Sequence, residues 1–84
     1  MLVNAQLVGD IFRAARDQAG MTQEVLSGLA GLDRTHYSKI ERGLRNPTID
    51  TLFKVANALD IKPHILVKHI EDALEAKDGE APSR

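Results

Sequence analysis

Between Gly31 and Thr48 the sequence reads GLDRTHYSKIERGLRNPT, and four of its residues, Arg34, Lys39, Arg42 and Arg45, are cations. They share the segment with the hydroxyls of Thr35 and Ser38 and the imidazole of His36. Donors of this kind at short spacing can hold phosphate oxygens or read the edges of bases. The same residues could also form nothing more than a solvated basic face. Elsewhere the chemistry is thin. The chain has no cysteine, which excludes a disulfide and a thiolate metal site. His64 and His69 are five apart, off any common helical face, and with Asp72 they make a poor metal site. No glycine-rich phosphate loop and no serine–histidine–acid set is present. The residues therefore point to binding and not to an enzyme, with no cofactor and no metal.

The elements that must position this segment are helices. Valine and isoleucine never alternate over a strand-length run, so no strand is expected. A first helix is predicted from Ala5 to Ala19, with Leu7, Val8, Ile11, Phe12, Ala15 and Ala19 on one stripe and Gly20 as a left-handed cap. Thr22 opens a second helix as N-cap, with Val25, Leu26 and Leu29 as its apolar face, ending near Ala30. Gly31 supplies a tight exit and Leu32 tucks inward. Asp33 caps a third helix over residues 34–42, with Tyr37 and Ile40 on its inner side and Gly43 as its end. Pro47 cannot continue a helix and disfavours helix at Asn46, so residues 45–47 form a loop. Thr48 caps a fourth helix with Ile49, Leu52, Val55, Ala56 and Leu59 inward. Pro63 suits the first turn of a fifth, whose apolar positions are Ile65, Leu66, Ile70, Ala73 and Leu74.

The bulk composition fits one small domain. At 84 residues the chain buries only about 60–65% of its unfolded surface, so a second subunit is a natural source of further burial. Residues 1–76 read as the domain and residues 77–84, KDGEAPSR, as a disordered polar tail. No apolar run is long enough to span a bilayer, and no signal peptide is evident; a cytoplasmic location follows as an expectation. The net charge is −1, which alone argues against a nucleic-acid binder. The distribution says more: residues 13–54 hold seven basic and five acidic side chains, residues 60–84 four basic and six acidic.

A helix, a three-residue turn that begins with glycine, and a second helix have helix-turn-helix spacing. MTQEVLSGLAGLDRTHYSKIERGLRNPTIDTLFKVANAL resembles the Cro and repressor family of helix-turn-helix proteins, also called the XRE family. The resemblance covers roughly residues 8–60. It rests on the joint spacing of Arg16, Gly20-Met21-Thr22-Gln23, Gly31, Ile40-Glu41-Arg42-Gly43, Asn46-Pro47 and Leu52. The segment LDRTHYSKIERGLRNPT is especially similar to controller proteins of restriction–modification operons.

The resemblance implies a compact all-α, five-helix domain that binds a palindromic operator in double-stranded DNA as a homodimer. The third helix would lie in the major groove, where N-terminal side chains of a recognition helix meet bases. Arg34 is the first candidate for base readout, followed by Thr35 and Lys39, with His36 and Ser38 beside them. Gln23 sits at the start of the second helix, where free N–H groups and the dipole favour a phosphate, and the family implies a backbone clamp there. Arg45 and Asn46 would also hold phosphates, and Tyr37 could reach one through its hydroxyl. Arg16 and Glu41 match positions that form a structural ion pair in the family. Two residues depart from the family pattern: Ser27 stands where alanine is usual, and Tyr37 where an aliphatic side chain is usual. Ile61, Ile65, Ile70 and Leu74 are candidates for a dimer interface; the alternative is that the same stripe folds back on the first and fourth helices. RNA polymerase is a candidate partner, while no membrane and no small-molecule ligand is expected. An antitoxin or a phage-type repressor fits the same pattern. A protein-interaction module that kept the fold and lost DNA is the rival from another class.

Overall fold

The structure, a computed structural model, describes residues 3–79 and contains five helices: α1 (Ala5–Gln18), α2 (Gln23–Ala30), α3 (Arg34–Glu41), α4 (Ile49–Ala58) and α5 (Pro63–Gly79). No strand occurs among the described residues. Each of the first four helices begins with a side chain that accepts from its first free N–H groups: Asn4 from Gln6 and Leu7, Thr22 from Val25, Asp33 from His36, and Thr48 from Thr51. Such caps satisfy donors that an isolated helix end leaves free.

The exits follow one pattern. Gly31 (φ 70°) closes α2, with Leu32 N–H donating back to the Ser27 carbonyl at 2.8 Å. Gly43 (φ 76°) closes α3, with Leu44 N–H donating to the Lys39 carbonyl at 2.9 Å. Left-handed backbone is inexpensive for glycine, which has no Cβ. Asp60 takes the same role after α4 at φ 58°, a conformation more tolerable for aspartate than for most side chains.

The core joins all five helices. Val8 and Phe12 from α1, Leu26 from α2, Tyr37 and Ile40 from α3, Leu52, Val55 and Ala56 from α4 with Leu59 just beyond it, and Leu66 and Ile70 from α5 form one buried cluster. Helix α1 packs on α3 and α5, α2 on α3 and α4, and α4 on α5. Leu32 packs against the cluster from the turn, as expected.

Several expectations are corrected. Val25 and Leu29 do not face inward; they are exposed, and the buried stripe of α2 is Leu26, Ser27 and Ala30. At 100° per residue that stripe leaves 25 and 29 on the flank. Ile49 is also exposed, in the first turn of α4, and Ala19 is exposed beyond the end of α1. Ile70 belongs to the protomer's own core, and Ile61 and Leu74 pack against it. The apolar stripe of α5 thus folds back on α1 and α4, leaving Ile65 and Val67 exposed. Finally, α5 continues to Gly79, so residues 77–79 of the expected tail are helical. Lys77 lies in that last turn, where a cation complements the helix dipole. Residues 80–84 lie outside the described part.

Candidate nucleic-acid interface

The α2–α3 pair is built around Leu26, Ser27, Ala30, Tyr37 and Ile40, all buried. Ser27 occupies the crossing and resolves its hydroxyl locally, donating to the Glu24 carbonyl at 3.2 Å. This is the helix-two carbonyl bond that a serine in that position requires. With the inner face so fixed, α3 turns its other residues outward. Arg34 and Thr35 are exposed, and His36, Ser38 and Lys39 are half-buried. Arg42 and Arg45 continue the exposed cationic surface past the helix end.

Beneath that surface lies a polar cluster. Arg16 on α1 meets Glu41 on α3 in a two-point pair, Nε to Oε2 at 2.6 Å and Nη2 to Oε1 at 3.0 Å. Arg16 Nη1 also donates to the Met21 carbonyl at 2.8 Å. One guanidinium therefore joins α1, the turn before α2, and the end of α3. Both side chains are largely withdrawn from solvent, at 12% and 3% exposure. Burial by itself would raise the Glu41 pKa; the bond from Arg16 outweighs it, with the nearby Tyr37 hydroxyl and the Gln23 amide adding, and holds the carboxyl below its ordinary value. The same contact raises Arg16. Charge on both partners is thus built into the fold.

Other candidate residues sit differently from expectation. The Gln23 amide turns inward and donates to Glu41 Oε1 at 2.9 Å. Asn46 Nδ2 donates to the Val3 carbonyl at 3.4 Å, tying the α3–α4 loop to the N-terminal segment. Tyr37 is corrected outright as a phosphate contact: it is fully buried, and its hydroxyl is enclosed with no hydrogen bond. Its pKa is raised, by burial first and then by the nearby Glu41 carboxylate. A residue missed from sequence is Gly9. A Cβ there would lie 2.5 Å from the carbonyl oxygens of both Ile40 and Glu41, so α1 approaches the end of α3 backbone to backbone. A glycine in the middle of an otherwise regular helix is the signal that could have found it.

A helix-turn-helix family model matches residues 12–66. The chain belongs to the helix-turn-helix family. Within that family it is of the Cro and repressor type, and it is a transcriptional regulator similar to restriction–modification controller proteins. An uncharacterised HTH-type transcriptional regulator, y4dJ of Sinorhizobium fredii, is 41% identical over 56 residues, 67% of this chain and 73% of that one. Three other regulators it matches are longer, the chain spanning 32% to 41% of them. The crystal structure of the restriction–modification controller protein C.AhdI from Aeromonas hydrophila superposes with a TM-score of 0.73 at 38% identity, covering 77% of this chain and 98% of that one. The controller protein C.Esp1396I, solved as a tetramer in complex with its natural 35 base-pair operator, superposes with a TM-score of 0.77 at 30% identity, covering 87% and 96%. This helix-turn-helix family is one of DNA-binding regulators. Among the described residues no helix is long and apolar enough to cross a membrane.

Proposed function

We propose that this helix-turn-helix regulator binds a palindromic operator as a homodimer, with α3 in the major groove, and controls the promoter it occupies. The observation that supports this best is the division of α3. Its inner residues Tyr37, Ile40 and Glu41 are buried. Its outer residues Arg34, Thr35, Ser38 and Lys39 have no side-chain hydrogen bond or ion pair among the described residues, leaving their donors free for a ligand. Arg34, Thr35 and Lys39, with His36 and Ser38, are assigned to base edges. Arg45 takes a phosphate, and Asn46 lies beside it on the same loop. Gln23 takes a second phosphate, using an amide that the free protein holds against Glu41. Two copies would set their recognition helices about 34 Å apart, one turn of duplex. Exposed Ile65 is the α5 side chain assigned to pairing, since Ile70 lies in the protomer's own core and Ile61 and Leu74 pack against that core.

The role is binding in the cytoplasm, without cofactor or small-molecule effector, and RNA polymerase is the protein that promoter occupancy would bring beside it. Likeness to C.AhdI and C.Esp1396I favours a controller of a restriction–modification operon over an antitoxin or a phage-type repressor. Selection from a random duplex pool tests the reading, with wild type beside Arg34→Ala. Wild type should enrich a palindrome, and Arg34→Ala should lose about 1–3 kcal/mol of discrimination at one symmetric base pair. Affinity should fall with salt by a log–log slope near −0.9 for each phosphate neutralised. Enrichment of no sequence at low salt would transfer the chain to the protein-interaction reading.

A further inference from the structure

Among the described residues, the Tyr37 hydroxyl is the buried side-chain polar atom left without a hydrogen-bond partner. One helical turn further on is Glu41, on the same face, since residues four apart are neighbours on a helix. Three donor bonds reach the Glu41 carboxylate. Arg16 supplies two, at 2.6 and 3.0 Å, and the Gln23 amide supplies the third, at 2.9 Å. Oε1 is the shared oxygen, accepting from both Arg16 and Gln23.

Of these donors only Gln23 stands at the N-terminus of α2, where a DNA phosphate would approach. The amide has two N–H groups, one of them spent on Glu41, and a phosphate that draws the whole amide outward competes with the carboxylate for it. If Gln23 turns outward, Glu41 loses a donor that solvent cannot replace, because its side chain is only 3% exposed. Arg16 already spends one N–H from each of its three nitrogens, two on Glu41 and one on the Met21 carbonyl. The Tyr37 O–H is the donor still unused.

We propose that Tyr37 is a positioning residue for DNA binding: its hydroxyl takes the place of the Gln23 amide on Glu41 when Gln23 turns out to a phosphate. The inference rests on the DNA-binding reading above. Burial and the adjacent carboxylate keep the phenol protonated well above its ordinary range, so it is a donor whenever it is called upon. Phenylalanine fills the same space and lacks the donor, which isolates the hydroxyl from the packing.

The test uses the full chain as Tyr37→Phe, Gln23→Ala and the double variant. Each is followed by thermal unfolding without DNA and by affinity for the duplex that wild type selects. Tyr37→Phe should unfold at or above the wild-type temperature, because it removes an unpaired buried group. It should bind DNA about three- to tenfold more weakly, the worth of one net hydrogen bond. In the Gln23→Ala background the same change should alter affinity by less than about twofold, because the two residues act as a unit. A purely structural role would not give opposite signs in the two measurements. Unchanged affinity, an equal loss with and without Gln23, or unfolding several degrees below wild type would each overturn the exchange. A wild type that selects no duplex would overturn the DNA-binding reading and this inference together, and it would do so before any variant is compared.

Discussion

Helices α3 and α5 are both amphipathic, yet their positions are determined in different ways. Helix α3 has eight residues, too few to persist alone in water. It is held by the Asp33 cap, the left-handed exit at Gly43, the backbone approach at Gly9 and the Arg16–Glu41 pair. Helix α5 has seventeen residues, is anchored mainly through Leu66 and Ile70, and leaves Ile65 and Val67 in solvent. Directional contacts fix the first in rotation and height; non-directional burial only keeps the second in place. The helix proposed to meet DNA in register is the one that carries the polar constraints.

The sharpest way to break this contrast is Glu41→Ala. It leaves the Arg16 guanidinium withdrawn from solvent without its counter-charge, and urea unfolding should show a loss of about 3–5 kcal/mol. The same pair gives the fold an acid limit. Because the folded pKa of Glu41 lies below its ordinary value of 4.5, the stabilisation is fully present above that value and disappears as pH falls through the folded value. Urea midpoints should drop in that window for wild type, and Glu41→Gln should flatten the dependence. A wild-type midpoint independent of pH down to the acid limit would mean the carboxyl is not held in its charged form.

Next in size is Gly9→Ala, where the new methyl meets backbone carbonyls that cannot swing away. Overpacking of this kind costs about 1–3 kcal/mol, and Tm should fall by about 4–8 °C for each kcal/mol. A variant as stable as wild type would show that α1 and α3 can slide apart freely, and that α3 is less constrained than described.

The smallest effect on stability belongs to α5. Ile65→Lys changes an exposed position and should alter unfolding by less than about 0.5 kcal/mol, while sedimentation should show the proposed dimer for wild type and a monomer for the variant at the same concentration. If the variant still pairs, the contact between subunits lies elsewhere.

The order of elements was legible in the sequence because punctuation is local: Thr22, Asp33, Thr48, Gly31 and Gly43 act on the backbone within a few residues of themselves. The Arg16–Glu41 pair, 25 residues apart, was reached through likeness to a family, since no local pattern links the two. Inward and outward assignments failed at Val25, Leu29 and Ile49 because apolar character does not say which of several adjacent faces a neighbouring helix will cover. The enclosure of the Tyr37 hydroxyl and the inward rest of the Gln23 amide were not legible for a related reason. Each can point two ways; core packing settles Tyr37 and the buried Glu41 carboxylate holds Gln23, and both come from the three-dimensional arrangement. The close approach at Gly9 depends on interhelical distance, which residue type alone does not encode.

The division of α3 also has a consequence for retargeting. Its buried positions 37, 40 and 41 set where the helix lies, and its outer positions 34, 35, 38 and 39 carry no part of that task. The outer four can therefore be exchanged as a cassette without disturbing the scaffold that presents them, and under the proposed DNA-binding role such an exchange would change the sequence that is read.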